Sequence, residues 1–147
     1  MNTIAALYVE EGGCYYGLDD VDPWGVIRDA RKYDGPYPVV AHPPCARWSA
    51  LWFGDVRAPK NKRKIFGDDN GCFIFALEAV RKYGGVIEHP AASNAFTNFG
   101  IKKPNPKGGW EVADSHGGFM CIVDQRNYGH VIKKKLACML AKHICPI

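Results

Sequence analysis

The chain has 147 residues, of which 47% are hydrophobic, 23% charged and 12% aromatic. These values exclude a largely disordered protein and predict one compact domain over residues 1–147, with a core that needs no disulfide or metal. The formal net charge of +4 excludes a uniformly basic surface, and no apolar run approaches the roughly 20 residues of a transmembrane helix.

Cysteine usage and the first residues bear on location. The six cysteines include no C-x-x-C pair, and the opening Met1-Asn2-Thr3-Ile4 lacks the basic region of a signal peptide. We therefore expect free thiols in a cytoplasmic protein that has no contact with a membrane.

The first predicted elements are indicated by an apolar run and by the glycine, aspartate and proline residues that follow it. Residues 4–9 predict a central strand, and Gly12 and Gly13 come directly after it. Such glycines let backbone N–H groups approach a nucleotide, although a plain turn is the commoner use of the pair. Asp22 and Pro23 then predict a helix that begins at Asp22 as N-cap and ends at about Tyr33.

The stretch from Val39 to Ser49 concentrates reactive side chains. A strand over residues 38–42 ends at two prolines, which have no N–H for a sheet ladder, so a stiff loop follows. The polar and aromatic residues of this loop are His42, Cys45, Arg47, Trp48 and Ser49. Because ligands bind at the carboxyl ends of strands in α/β sheets, we predict a site here, with a stiff turn around a buried cysteine as the alternative.

A second strand ends in the same way. Residues 71–83 carry the apolar stripe of a helix, and residues 85–88 predict a buried strand that runs into Glu88-His89-Pro90. Since strand, helix and strand form a β-α-β unit, both strand ends lie at one edge of the sheet. The side chains expected to converge there are His42, Cys45, Glu88 and His89. Exposure of Glu88 at the sheet rim is the alternative.

The remaining elements complete the predicted fold. Strands are predicted over residues 110–112, 118–123 and 136–140, with a polar loop over residues 124–130. Residues 50–70 mix aromatic side chains with a basic cluster, which predicts a loop closing over an anionic ligand or else an exposed loop whose aromatic rings cap the core. The order of elements predicts a three-layer, Rossmann-like α/β domain with a mostly parallel sheet.

Four stretches, taken in order, resemble motifs of the cytosine-C5 DNA methyltransferases in compressed form. The first strand with Gly12 and Gly13 is similar to the cofactor loop of that family, and Pro43-Pro44-Cys45 to its catalytic Pro-Cys loop. Glu88 with its two following residues resembles the family's Glu-Asn-Val strand end, and Gln125-Arg126 its late arginine-containing element. The chain also resembles small methylase-like proteins of bacteriophages and prophages, which implies a bacterial host cell as its location.

The resemblance implies a chemistry and a cofactor. S-adenosylmethionine would be held by Gly12, Gly13 and Asp22, with Asp22 at the ribose. The Cys45 thiolate would add to C6 of a pyrimidine while Glu88 holds the N3 side of the ring. His42 would lower the thiol pKa, and Arg126 or Arg47 would hold the ring carbonyl or a phosphate. Further ligand contacts are expected from Trp48, Ser49 and His89.

The chain departs from the family in ways that change the expected substrate. Glu10 and Glu11 precede the paired glycines, and His89 stands where the family has asparagine. No segment is long enough for a target-recognition domain, so a free nucleotide or an assembly of several copies is easier to accommodate than sequence-specific methylation of DNA.

Three other functions fit the same residues. A non-catalytic phage protein would sequester a cyclic or ADP-ribose-like defence signalling nucleotide by stacking on Trp48, Trp52 or Phe53 and pairing phosphates with Arg47 and residues 60–64. A small nucleic-acid-binding module would use the basic runs. A zinc site would need the ligands His42, Cys45, His89 and His130. None of these four has the close spacing of a structural site, so we expect no metal.

Overall fold

The computed structural model describes residues 2–54, 57–60, 64–128 and 135–141. The strands of the described chain are β1 (Ile4–Leu7), β2 (Val21–Trp24), β3 (Val39–Ala41), β4 (Gly85–Pro90), β5 (Glu111–Val112), β6 (Gly118–Asp124) and β7 (Lys135–Ala141). The α-helices are α1 (Cys72–Tyr83) and α2 (Ala95–Asn98), and the short 3₁₀ helices are Ala30–Lys32, Ala46–Trp48 and Gln125–Tyr128. All seven strands belong to one sheet in the order β2-β1-β3-β4-β7-β6-β5.

The sheet has a parallel half and an antiparallel half. β2, β1, β3 and β4 run parallel to one another. β7 runs antiparallel to β4 and to β6, and β5 runs antiparallel to β6. The predicted α/β class is confirmed, and the parallel half contains the two strands predicted to end at the site. Among the described residues, no helix has both the length and the hydropathy that a bilayer crossing requires.

The core lies between α1 and the parallel strands. Phe73, Leu77 and Val80 form the buried stripe of α1, as its periodicity predicts. At Gly85 the backbone has φ +126°, and a Cβ there would lie 1.9 Å from the carbonyl oxygen of Val39. Only glycine fits at this point, so β3 and β4 pair closely where the chain leaves α1.

The helix predicted over residues 22–33 is wrong. Residues 21–24 form the edge strand β2, and only Ala30–Lys32 are helical, in one 3₁₀ turn. Pro23 is compatible with the first turn of a helix. It is equally compatible with an edge strand, because the outer side of such a strand has no neighbouring strand that needs an N–H donor. Pairing with β1 decides between the two. Asp22 therefore caps no helix.

Candidate functional site

The strand order places a crevice between the carboxyl ends of β1 and β3. From β1 the chain adds β2 on one side, whereas β3 and β4 follow on the other side. Ligands of open α/β sheets bind where the order reverses in this way. A cavity of about 230 Å³ lies at this point, and we call it the switch-point cavity. It is lined by Tyr8, Val9, Glu10, Gly13, Cys14, Tyr15 and His42.

Tyr8 enters this cavity with an unusual backbone. Its φ is +60°, a left-handed conformation that is costly for a bulky residue, and its N–H donates to the carbonyl of Trp24 over 2.9 Å. The phenolic oxygen is buried and has no partner among the described residues, and burial raises the pKa of this phenol. Strained residues with unsatisfied polar groups concentrate at functional sites, which makes the crevice beside Tyr8 a candidate site.

The loop after β1 is held by its own residues. The Gly13 N–H donates to the Glu10 carbonyl over 2.9 Å, so this amide is used by the turn. The Glu11 carboxylate accepts hydrogen bonds from the Tyr16 hydroxyl at 2.5 Å and from the Ile27 N–H at 2.9 Å, which turns it towards the neighbouring loop. Of the predicted cofactor glycines, Gly13 lines the switch-point cavity, and Gly12 is an exposed turn residue with φ +69°.

Tyr15, His42 and Glu88 form a hydrogen-bonded chain across the strand ends. The Tyr15 hydroxyl lies 2.7 Å from His42 Nε2, and His42 Nδ1 lies 3.3 Å from Glu88 Oε2. A neutral imidazole protonated at Nδ1 satisfies all three groups, because it donates to the carboxylate and accepts from the phenol. The hydrogen bond from His42 lowers the pKa of Glu88, and burial, with the Glu88 charge, raises the pKa of Tyr15.

Cys45 lies at a second cavity, of about 260 Å³, which we call the thiol cavity. It is lined by Cys45, Ser49, Ala50, Pro90, Ala92, Ser93 and Asn94. The cysteine is exposed and begins the 3₁₀ helix Ala46–Trp48. Because both ring nitrogens of His42 are engaged by Tyr15 and Glu88, the imidazole is directed to these groups rather than to the thiol. The predicted activation of Cys45 by His42 is therefore not built into this arrangement.

The two cavities lie at one edge of the sheet, where the parallel strands β1, β3 and β4 end. Comparisons with protein-family models, with curated proteins and with solved structures find no match for this chain. The chemistry of each cavity is therefore inferred from the side chains that line it. The switch-point cavity offers a carboxylate and two phenols, whereas the thiol cavity offers a nucleophile beside small polar groups.

Two residues predicted to contact the ligand belong to the core. Trp48 is buried against Phe66, Phe73 and Phe99, and its Nε1–H donates to Asp69 Oδ2 over 2.8 Å. His89 is 1% exposed, stands edge-on to Phe73 and Phe96, and has its Nε2 3.4 Å from the carbonyl oxygen of Pro44. Both side chains support the loop that presents Cys45, and neither lines the switch-point cavity or the thiol cavity. Large aromatic rings beside a sheet fill its core, which is why Trp48 and His89 are buried here.

Asp69 is a structural residue of the site that sequence reasoning missed. Its carboxylate accepts hydrogen bonds from Trp48 Nε1 at 2.8 Å, from the Phe73 N–H at 2.9 Å and from the Gly71 N–H at 3.0 Å. It therefore joins the loop of Cys45 to the first turn of α1. The run Asp69-Asn70-Gly71 before an apolar stripe is the signal of a helix start that could have identified it.

The other predicted residues are spread over the fold. Asp22 lies in the edge strand β2, where its two carboxylate oxygens accept from Trp24 Nε1 at 2.8 Å and from Arg28 Nη1 at 2.6 Å. Ser49 lines the thiol cavity, and its hydroxyl donates to the Ala46 carbonyl over 3.3 Å. The Asp22 carboxylate is thus already occupied, whereas Ser49 stays beside Cys45.

The two predicted arginines differ in their positions. Arg47 is half-buried, and its Nη1 lies 3.5 Å from the Trp52 carbonyl oxygen, to which it donates. Arg126 is exposed after β6, which runs in the same direction as β4 but two strands away, about 10 Å along the edge. Arg126 thus lies at the predicted edge without joining the cluster of Glu88.

The described side chains of the alternative zinc site, those of His42, Cys45 and His89, do not form a metal-binding cluster. Within the described ranges, no group of three or more His, Cys, Asp or Glu side chains is placed to hold a metal ion. His130, the fourth candidate ligand, lies outside the described residues. The thiols of Cys14, Cys45, Cys72 and Cys121 are free.

Proposed function

We propose that the chain is an S-adenosylmethionine-dependent, methyltransferase-like protein that acts on the pyrimidine of a nucleotide or DNA base through Cys45. The observation that carries the proposal is the pair of cavities at one sheet edge, with the His42–Glu88 pair at the strand ends between their loops. A three-layer, Rossmann-like arrangement of the whole domain is part of the same proposal.

The switch-point cavity has groups that fit the cofactor. When bound, S-adenosylmethionine supplies an electrophilic methyl group on a sulfonium cation. The Glu10 carboxylate and the phenol rings of Tyr8 and Tyr15 line the cavity, and carboxylates and aromatic faces attract cations of this kind. Asp22 has no role in the proposal, because Trp24 and Arg28 already occupy its oxygens.

The thiol cavity has the size and chemistry for a flat polar ring. Glu88 and Pro90 are on the same face of β4, and Pro90 lines the cavity beside Cys45. Since the hydrogen bond from His42 lowers the pKa of Glu88, the carboxylate is ionised at neutral pH. An ionised carboxylate accepts from the exocyclic amine of cytosine or from the N3–H of uracil, so Glu88 is suited to orient either ring.

Cys45 would provide covalent catalysis. Its thiolate adds to ring C6, which moves the electron pair of the C5–C6 bond to C5 and makes that carbon nucleophilic enough to accept a methyl group. The methyl donor would leave as S-adenosylhomocysteine. Transfer of the C5 proton to solvent water would then restore the C5–C6 double bond and expel the Cys45 thiolate from C6. The exposed position of Cys45 leaves its sulfur accessible to a ring in the cavity.

Calorimetric titration with S-adenosylmethionine and S-adenosylhomocysteine tests the cofactor. Transfer of an isotopically labelled methyl group to dCMP, dUMP and pyrimidine oligonucleotides tests the reaction. Replacement C45A is expected to abolish transfer and retain cofactor binding, whereas the matched control C72A, in α1, changes neither. Absence of both cofactor binding and transfer in the wild type would overturn the proposal.

A second candidate is a non-catalytic protein that sequesters a cyclic or ADP-ribose-like nucleotide. The engagement of His42 by Tyr15 and Glu88 favours it, because the Cys45 thiol then has no imidazole to act as its base. In this case the nucleotide is recovered unchanged after denaturation of the complex, and C45A binds it as tightly as the wild type. Loss of nucleotide binding in C45A would argue against this candidate.

A further inference from the structure

Positive charge is concentrated in the segment that follows Cys45. Residues 47–66 contain six Lys and Arg against one Asp, a net charge of +5, whereas the whole chain has a net charge of +4. The rest of the chain is therefore slightly acidic. Within the described part of the segment, Arg57, Lys60 and Lys64 are exposed. A polyanion would be attracted to this region of the surface.

The same segment has exposed apolar side chains at Leu51, Ile65 and Phe66 and half-buried aromatic rings at Trp52 and Phe53. Trp52 stands edge-on to Phe53 and Phe66, with ring centroids 5.6 and 5.7 Å apart. Leu51 is 74% exposed and Ile65 is 67% exposed. We call Leu51, Trp52, Phe53, Ile65 and Phe66 the aromatic patch. Large exposed apolar groups next to basic side chains are costly for solubility and indicate a binding surface.

The patch is fixed beside the thiol cavity. Ser49 and Ala50 line that cavity and lead directly into Leu51. The two ends of the segment are joined where the Gly67 N–H donates to the Arg47 carbonyl over 3.0 Å. The buried ring of Trp48 packs edge-on against Phe66, with centroids 5.5 Å apart. The thiol cavity and the aromatic patch are therefore adjacent on the surface.

We propose that the aromatic patch and its basic side chains bind single-stranded nucleic acid. Bases stack on aromatic side chains only when their faces are free, as in a single strand, and Lys and Arg side chains neutralise the phosphates. A free mononucleotide would contact one phosphate site, whereas a strand of several nucleotides would contact most of the basic side chains. Entry of one base of the strand into the thiol cavity rests on the proposed function, whereas binding by the patch does not.

The test is fluorescence anisotropy with a labelled oligothymidine of about 12 nucleotides, within the usual site size for such proteins. The single strand is expected to bind at least tenfold more tightly than a duplex of equal length, with an affinity that falls as salt rises. The double replacement K60E/K64E should weaken binding at least tenfold. The control K32E/K103E changes two exposed lysines outside the patch and should have a much smaller effect.

Replacement W52A should weaken binding at least fivefold, and circular dichroism establishes that the variant is folded. Duplex binding as tight as single-strand binding, or K60E/K64E binding like the wild type, would overturn the inference. The variant C45A separates it from the proposed function. If C45A still binds the oligonucleotide but transfers no methyl group, nucleic-acid binding by the patch is supported independently of catalysis. If the wild type methylates free nucleotides but does not bind the oligonucleotide, the inference about the patch is overturned and the proposed function is not.

Discussion

The Nδ1 atom of His42, the first residue after β3, lies 3.3 Å from Oε2 of Glu88, which lies within β4. Their meeting depends on the parallel pairing of β3 and β4, in which Ala41 lies opposite Ile87. The next residue of each strand therefore projects into the same space. Tyr15 extends the contact to the loop after β1, so that one hydrogen-bonded chain spans three segments of the site.

Replacement E88Q should separate the role of Glu88 in the site from its role in the fold. The pair with His42 is about one-third exposed, so its loss should cost no more than about 1 kcal/mol of unfolding free energy. Ligand binding or methyl transfer should fall at least tenfold, because an amide presents an N–H where the ligand needs an acceptor. Urea denaturation and the labelled-methyl assay measure the two effects. The control is E78Q, on the exposed face of α1.

His89 should make the protein sensitive to acid. Burial lowers the pKa of this imidazole to about 4 in the folded state, whereas it is near 6.5 in the unfolded chain. Between these values the unfolded state binds the proton, so stability is full above about pH 6.5 and falls as the pH drops to about 4. The expected loss is about 3 kcal/mol. Urea unfolding measured across this range should show it.

The replacement H89L tests the origin of that slope. It removes the titrating group from its contacts with Phe73 and Phe96, so the dependence of unfolding free energy on pH should flatten even if the variant is less stable throughout. The control H116Q alters an exposed imidazole and should keep the wild-type slope. Equal slopes for H89L and the wild type would show that another group causes the acid sensitivity.

Asp69 should be among the most sensitive positions for stability. Replacement D69A leaves the Trp48 indole N–H and the Phe73 N–H without their acceptor in a buried place, which should cost about 2–4 kcal/mol. D69N should cost less, because it keeps one acceptor oxygen. The neighbour Asp68 is exposed, so D68A is a matched control with little effect. Tryptophan fluorescence during urea unfolding reports on the contact directly.

The sequence predicts well what local pattern determines. Hydrophobic periodicity and the positions of glycine and proline predict the helix α1, its C-cap at Gly84 and the β-α-β unit. The structure confirms all three. The sequence around Pro23 does not distinguish a helix start from an edge strand, because proline is compatible with both. Pairing with β1 makes it an edge strand. Local pattern carries no information about such a partner.

The same limit applies to the candidate site. The edge at which His42 and Glu88 meet was predictable from strand order, since parallel strands end on one side. The burial of Trp48 and His89 was not, because a polar tip on an aromatic ring suits a ligand site and a hydrogen-bonded core equally well. Tyr15 was also missed as a partner of His42, since its position depends on how the loop after β1 folds back.

Gly85 controls the geometry of the site through the sheet. In G85A the added Cβ would lie 1.9 Å from the Val39 carbonyl oxygen, and the φ of +126° would itself be strained for alanine. β3 and β4 would have to separate, so the expected loss exceeds about 3 kcal/mol and the contact between His42 and Glu88 is lost with it. The control G117A also has a positive φ, of +80°, but has open space around it, and should cost only about 1–2 kcal/mol. Denaturant unfolding of both variants measures the difference. Equal stability of the two would mean that close approach of β3 and β4 is not what requires glycine at this position.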